Sequence, residues 1–110
     1  MDVLGLDQAL TELQPLTAEI SVRLWQRGAT YEAGLIAFHP QPVADPRQIC
    51  HADRDLLCQV LRGHGRLRLG AQQVPVAPGL LCRIPAGTPH DFAAQGPEPL
   101  VLFYALIKVS

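Results

Sequence analysis

The sequence predicts an all-β domain, a barrel or sandwich of short antiparallel strands with one short helix in front. Two observations lead to this fold class. From residue 19 onward, seven short apolar runs follow one another, each of typical strand length. Turns that contain glycine or proline separate the runs, and no helix of usable length fits between them. This pattern disfavours a parallel α/β fold.

The first residues predict a short amphipathic helix. Leu6, Leu10 and Leu13 recur at helical spacing, and Pro15 follows at a point where a helix cannot continue. We expect this helix to pack on the outside of the main fold. Residues 1–17 are therefore predicted to form a helical appendage.

The barrel itself is expected between residues 18 and 110, as one domain. Its predicted strands are Ile20–Trp25, Gly34–Phe38, Leu56–Leu61, Leu67–Leu69, Val74–Val76, Leu80–Ile84 and Leu100–Ile107. A chain of 110 residues is long enough to bury one hydrophobic core without disulfide bonds.

The composition limits the classes of partner. Apolar residues make up 48% of the chain and charged residues only 17%, which is typical of a folded domain. The formal net charge is −1 and no cluster of Lys or Arg stands out, so we expect no nucleic acid and no membrane as partner. The start does not resemble a signal peptide, and no apolar run could span a membrane, which predicts a cytoplasmic protein.

The cysteines do not form a recognisable framework. Cys50, Cys58 and Cys82 are odd in number and include no C-x-x-C spacing. We therefore expect them to be reduced thiols.

One segment carries a specific motif. It runs from Gly79 to His90 as a Gly, five residues, Pro-x-Gly, two residues and a His. Gly79 suits a turn into a strand, Pro85 ends that strand, and Gly87 permits a tight bend that directs His90 toward a barrel interior. This segment resembles the second motif of the cupin family, although the Asn that closes the family motif is Ala94 here.

A second, upstream segment resembles the first cupin motif, which is His-x-His, three or four residues, Glu, six residues and Gly. Anchoring the motif on Gly63 places its slots at Ile49, His51, Leu56 and Gly63. Of the three metal ligands in that motif, only His51 is retained. We prefer this alignment because residues 60–63 look like the end of the family's strand.

An alternative alignment takes His51 as the first histidine of the motif. It places Asp53 in the second slot, Cys58 in the Glu slot and Gly65 at the final glycine. Both alignments imply the same fold over about residues 18 to 107, an RmlC-like jelly-roll barrel with its functional site at the barrel mouth.

The resemblance implies a possible divalent metal, Fe, Mn, Ni or Zn, held by His51 and His90. Asp53 and Asp55 share strand parity with His51, so one of them is a candidate for a third, carboxylate ligand. The alternative is that both aspartates belong to a solvated charged loop.

Four further residues are candidates for lining a pocket in the barrel. They are Cys58, Cys82, Tyr31 and Phe92. Cys58 and Cys82 are expected to face inward, where a thiolate would bind a soft metal or act as a nucleophile, although core packing is the more common fate of such cysteines. The catalytic residues, if any, are not identified by the sequence.

The sequence is compatible with three functions. The first is a small-molecule-binding cupin that has lost catalysis, the second is a metal-dependent oxygenase, isomerase or decarboxylase acting on a small oxygenated substrate, and the third is a structural barrel without a ligand. Leu57 and Leu61, on the predicted outer face, motivate the third. We expect a homodimer in each case.

Overall fold

The computed structural model describes residues 1–43 and 47–109, and in that part of the chain it has one helix and nine strands. Their bounds are α1 Leu6–Thr11, β1 Gln14–Pro15, β2 Ile20–Arg27, β3 Tyr31–Phe38, β4 Arg54–Arg62, β5 Gly65–Leu69, β6 Gln72–Val76, β7 Leu81–Ile84, β8 His90–Ala94 and β9 Leu100–Lys108. The predicted all-β fold with a short N-terminal helix is confirmed.

The strands form two antiparallel sheets. Sheet A has six strands in the order β1-β2-β3-β9-β4-β7, and sheet B has three in the order β6-β5-β8. Neighbours such as β4 and β9 are distant in the sequence, so the chain crosses between the sheets as a jelly roll does. Among the described residues, no helix is both long and apolar enough to cross a membrane.

The main core lies between the two sheets. Strand β4 shows how the sequence builds it, because Leu56, Cys58 and Val60 are buried while Leu57 and Gln59, which alternate with them, are exposed. The inward residues of β4 belong to one cluster with those of sheet B. Burial of these apolar side chains provides the main driving force for folding.

Helix α1 covers the outer face of sheet A. Ala9 is fully buried and packs with Leu35, Ala37 and Val101, which point away from the barrel. Leu61 packs against this same cluster. The expectation that Leu61 belongs to an exposed dimer face was therefore wrong, because the chain's own helix lies over this part of the sheet.

Candidate functional site

The two cupin-like segments are joined by backbone hydrogen bonds near the start of β8. The amide of Ile49 donates to the carbonyl of His90, and the amide of His90 donates to the carbonyl of Ile49, each over 2.8 Å. The amide of Gly87, whose φ is +85°, donates to the carbonyl of His51 over 2.8 Å. The Pro-x-Gly bend thus brings His51 and His90 together, as the sequence predicted for a shared site.

The ring of His90 is held in one tautomer. Its Nδ1 lies 2.8 Å from the carbonyl oxygen of Thr88, which can only accept, so Nδ1 carries the proton. In the neutral imidazole Nε2 is then an acceptor, and it is buried without a hydrogen-bond partner in the structure. A polar atom left in this way costs about 1–3 kcal/mol of folding free energy.

The ring of His51 faces that of His90, with 5.4 Å between the ring centroids and 43° between the ring planes. Desolvation by partial burial lowers the pKa of His51, and the nearby His90 and Arg54 lower it further, while Asp53 opposes them. His51 is therefore neutral at pH 7. The site presents two imidazoles, one of which offers an unpartnered lone pair.

The proposed carboxylate ligands do not join this pair. Asp53 is exposed. Asp55 lies on the outer face of β4, where it pairs with the Arg83 guanidinium at 2.9 Å and accepts a 2.9 Å hydrogen bond from the amide of Ala86. Asp55, a candidate for an inward carboxylate ligand, points outward instead, because the inward positions on β4 have even numbers.

A resident metal centre does not fit the described residues. They contain no group of three or more His, Cys, Asp or Glu side chains that could hold a metal ion. In the alignment anchored on Gly63, the Glu slot is filled by Leu56, buried in the core, and the first His slot by Ile49, which is 55% exposed. Metal centres in proteins typically need three or four protein ligands, and here only His51 and His90 come together.

Cys58 and Cys82 form a disulfide in the structure, whereas Cys50 is free and exposed. The expectation of three reduced thiols is corrected for this pair. The two cysteines lie directly opposite each other on β4 and β7, with Cα atoms 5.4 Å apart, within the range that a disulfide requires. The sequence alone does not indicate this pairing, because 24 positions separate the two cysteines. With the sulfurs joined, neither is a thiolate ligand or nucleophile.

The two aromatic pocket candidates behave differently. Phe92 is 3% exposed in the core and makes a tilted ring contact with Phe38 at 5.5 Å. Tyr31 is 47% exposed and lies against Gly28, where a Cβ atom would be 2.3 Å from its ring. Tyr31 therefore faces away from the barrel interior, contrary to the prediction.

A buried tyrosine lies on the inner face of sheet A. Tyr104 is 6% exposed, opposite Cys58 on β4, and its hydroxyl donates to Glu32 over 3.0 Å. Burial and the Glu32 charge raise the pKa of Tyr104.

Asp55 is expected to stabilise the Pro-x-Gly bend that precedes His90, and its contribution to stability should depend on pH. The Ala86 amide first, and Arg83 second, lower the pKa of Asp55 below its ordinary value of 3.8. Its contribution is therefore complete well above pH 3.8 and is lost as pH falls through the folded-state pKa. We predict that Asp55→Asn unfolds in less urea than the wild type at pH 7, with a smaller difference at pH 3.

The matched control for that comparison is Asp53→Asn, since the Asp53 side chain is exposed. It should change stability by no more than about 0.5 kcal/mol. A difference between wild type and Asp55→Asn that stays constant from pH 7 to pH 3 would contradict the ionic role of Asp55.

Replacing His90 by leucine separates a ligand-binding histidine from a structural one. The variant loses the hydrogen bond to Thr88, worth about 0.5–1.5 kcal/mol, but removes a buried acceptor that costs about 1–3 kcal/mol. We expect the free energy of unfolding of His90→Leu to lie within about 1 kcal/mol of the wild type, or above it. Urea denaturation measures this, and a loss of more than about 2 kcal/mol would assign His90 a structural role.

Comparison with known proteins shows which family and which solved structures the chain resembles. A model of the cupin domain matches residues 34–106, about two thirds of the chain. No curated protein matches the chain. Solved structures similar to it include KdgF from Halomonas sp., with 20% identity, coverage of 88% of both chains and a TM-score of 0.73.

Two further solved structures extend the likeness. A cupin superfamily protein from Desulfitobacterium hafniense DCB-2 is 14% identical, with 99% of this chain and 94% of that chain covered and a TM-score of 0.75. A predicted oxalate decarboxylase from Thermotoga maritima is 15% identical, with 82% and 81% covered and a TM-score of 0.72. At such identities the likeness concerns the fold. Together with the family match, it shows that the chain belongs to the cupin family as a single-domain cupin.

Proposed function

We propose that this cupin binds a small oxygenated molecule at His51 and His90 and does so without a resident metal ion. The observation that carries the proposal is the Nε2 atom of His90, which is buried, oriented by the carbonyl of Thr88 and without a partner. A ligand hydroxyl that donates to Nε2 would remove the cost of leaving this acceptor unpaired.

His51 supplies the second half of the proposed site. Its ring is only partly buried and lies 5.4 Å from that of His90, so a ligand held by His90 would also be within reach of His51. A neutral imidazole has one donor and one acceptor. The pair therefore suits a ligand with neighbouring oxygen atoms, at least one of them a hydroxyl.

Nuclear magnetic resonance of the histidine side chains tests this with glycerol as the probe. We expect the ¹⁵N resonance of His90 Nε2 to move saturably as glycerol is added, and the movement to be lost in His51→Ala. The control is His64→Ala, because His64 is an exposed turn residue. A His90 resonance that stays unchanged in the wild type, or moves equally in His51→Ala, would overturn the proposal.

The metal-dependent enzyme is the competing function, since two imidazoles are part of many metal centres. Elemental analysis of protein purified without chelator or affinity metal distinguishes the two. We expect much less than one transition metal ion per chain. About one ion per chain, lost in both His51→Ala and His90→Ala, would favour the enzyme and direct attention to Asp53 as a further ligand.

We also propose that the chain forms a homodimer through the outer face of sheet A. Leu57 on β4 is 39% exposed there and Leu81 on the edge strand β7 is 74% exposed. Exposed apolar side chains along a sheet edge favour association with a second sheet. Sedimentation at tens of micromolar should show a dimer, and a monomer would contradict the proposal.

A further inference from the structure

We propose that the chain has a second binding site, outside the barrel, where Arg66 binds a small carboxylate. The site is a cavity of about 150 Å³ on the outer face of sheet B, which we call the outer cavity. Its walls include Arg66, Arg68, Asp91 and Ala93 from sheet B, together with Glu19, which precedes β2, and His39, which follows β3. It is independent of the His51 and His90 pair.

Strand alternation places these residues outside the core. On β5, Leu67 is 3% exposed and faces inward, so its neighbours Arg66 and Arg68 face outward. On β8, Phe92 is likewise 3% exposed, and Asp91 faces outward. Because His90 has the same parity as Phe92, the two proposed sites lie on opposite faces of β8.

The sheet gives one of the two arginines a carboxylate partner but not the other. Arg68 lies opposite Asp91 in the β5–β8 register, and the two form a two-point ion pair, with 2.6 Å between Nε and Oδ1. Arg66 lies opposite Ala93 on β8 and Pro75 on β6, neither of which has a side-chain acceptor. The outer cavity lies beside Arg66, the arginine without a carboxylate opposite it.

The hydrogen-bonding capacity of Arg66 is largely unused. Its Nη1 lies 3.5 Å from Oε1 of Gln73, which is longer than a normal hydrogen bond, and its Nε is buried without a partner. Among the described residues Arg66 forms no ion pair. A planar guanidinium with free donors binds a carboxylate by two parallel hydrogen bonds, and Arg68 with Asp91 shows that geometry on the same face.

Glu19 and His39 restrict the kind of ligand that the outer cavity would accept. His39 is fixed there, since its Nε2 lies 2.8 Å from the hydroxyl oxygen of Ser21 and its amide donates to the carbonyl of Glu19 over 2.7 Å. The Glu19 carboxylate would repel a second negative charge but would accept a hydrogen bond. A cavity of about 150 Å³ has room for a ligand of only a few non-hydrogen atoms. The site therefore suits a small carboxylate that also carries a hydroxyl or ammonium group.

Glycolate and acetate are the probes for this site, used at low salt in titrations followed by ¹⁵N nuclear magnetic resonance. We expect glycolate to shift the Nε–H resonance of Arg66 saturably, with a dissociation constant in the millimolar range, and acetate to bind at least threefold more weakly. Resonances of His51 and His90 should not follow the same curve. Shifts that increase without saturating would mean non-specific ion effects and would overturn the proposal.

Three variants locate the binding. Arg66→Gln and Ala93→Leu should each raise the dissociation constant for glycolate at least tenfold, the first by removing the cation and the second by filling the cavity opposite it. Arg62→Gln is the control, because Arg62 is exposed and pairs with Asp7. Unchanged affinity in either cavity variant, in spectra that show a folded protein, would also overturn the proposal.

Discussion

Replacing Leu102 by alanine is expected to lower the free energy of unfolding by about 2–5 kcal/mol. Leu102 is 1% exposed at the centre of sheet A, between Ile36 on β3 and Val60 on β4. Its side chain belongs to the core between the sheets, which includes inward residues of sheet B. Truncation removes buried methyl groups and leaves a cavity that two sheets fixed by their hydrogen-bond ladders can close only in part.

Urea denaturation measures this loss as a lower midpoint at an unchanged slope. The control is Leu16→Ala, because Leu16 has the same chemistry but is 71% exposed between β1 and β2. That variant should change stability by no more than about 0.5 kcal/mol. Since small domains are stable by about 5–15 kcal/mol, the Leu102 variant should unfold at markedly lower urea. Equal effects of the two substitutions would contradict the placement of the core.

The strands that the sequence predicted are those whose apolar residues alternate or run together. Strand β4 is the clearest, with buried residues at every second position. Strand β8 was missed because its sequence, His-Asp-Phe-Ala-Ala, has one large apolar residue and begins directly after Pro89, at the last residue of the motif. Strand β1 has only two residues, and its pairing with β2 depends on how the chain returns from α1.

The site was predictable only in part, because the sequence does not show which strands lie side by side in the sheet. His90 follows from the Pro-x-Gly bend, and His51 from its place in the first motif, so their proximity could be expected. The roles of Asp55 and Arg83 depend on which strand lies beside β4. That neighbour is β7, whose residues pair with residues of β4 that lie 22 to 28 positions earlier in the chain. The same pairing brings Cys58 opposite Cys82. Spacing along the chain contains no information on such contacts.

The outer cavity illustrates the same limit. His39 lies in a His-Pro-Gln-Pro segment that is typical of an exposed turn, yet its ring is fixed against Ser21 and it lines the cavity. Arg66 and Arg68 are equivalent in the sequence pattern, as alternate residues of one strand. Only the register of β5 with β8 shows that one lies opposite Asp91 and the other opposite Ala93.

Substitution of Gly63 by alanine should be as damaging as the loss of a core leucine, for a different reason. Gly63 forms the turn between β4 and β5 with φ at +79°, a conformation that costs an alanine about 1–2 kcal/mol. A Cβ atom there would also lie 2.2 Å from the carbonyl oxygen of Pro99 and 3.1 Å from the Cα of Leu100. These are backbone atoms at the start of β9, so they cannot rotate away as a side chain would.

Gly70→Ala is the matched control, because Gly70 also has a positive φ, +59°, but no atom lies within 4 Å of the position of a Cβ there. It should cost only the conformational part, about 1–2 kcal/mol, whereas Gly63→Ala adds an overpacking cost of about 1–3 kcal/mol. Thermal or urea unfolding of the two variants gives the difference. Equal losses would show that the β4–β5 turn does not pack against Pro99. They would also weaken the case for Gly63 as the final glycine of the first cupin motif. The assignment of Leu56 to the Glu slot of that motif depends on Gly63.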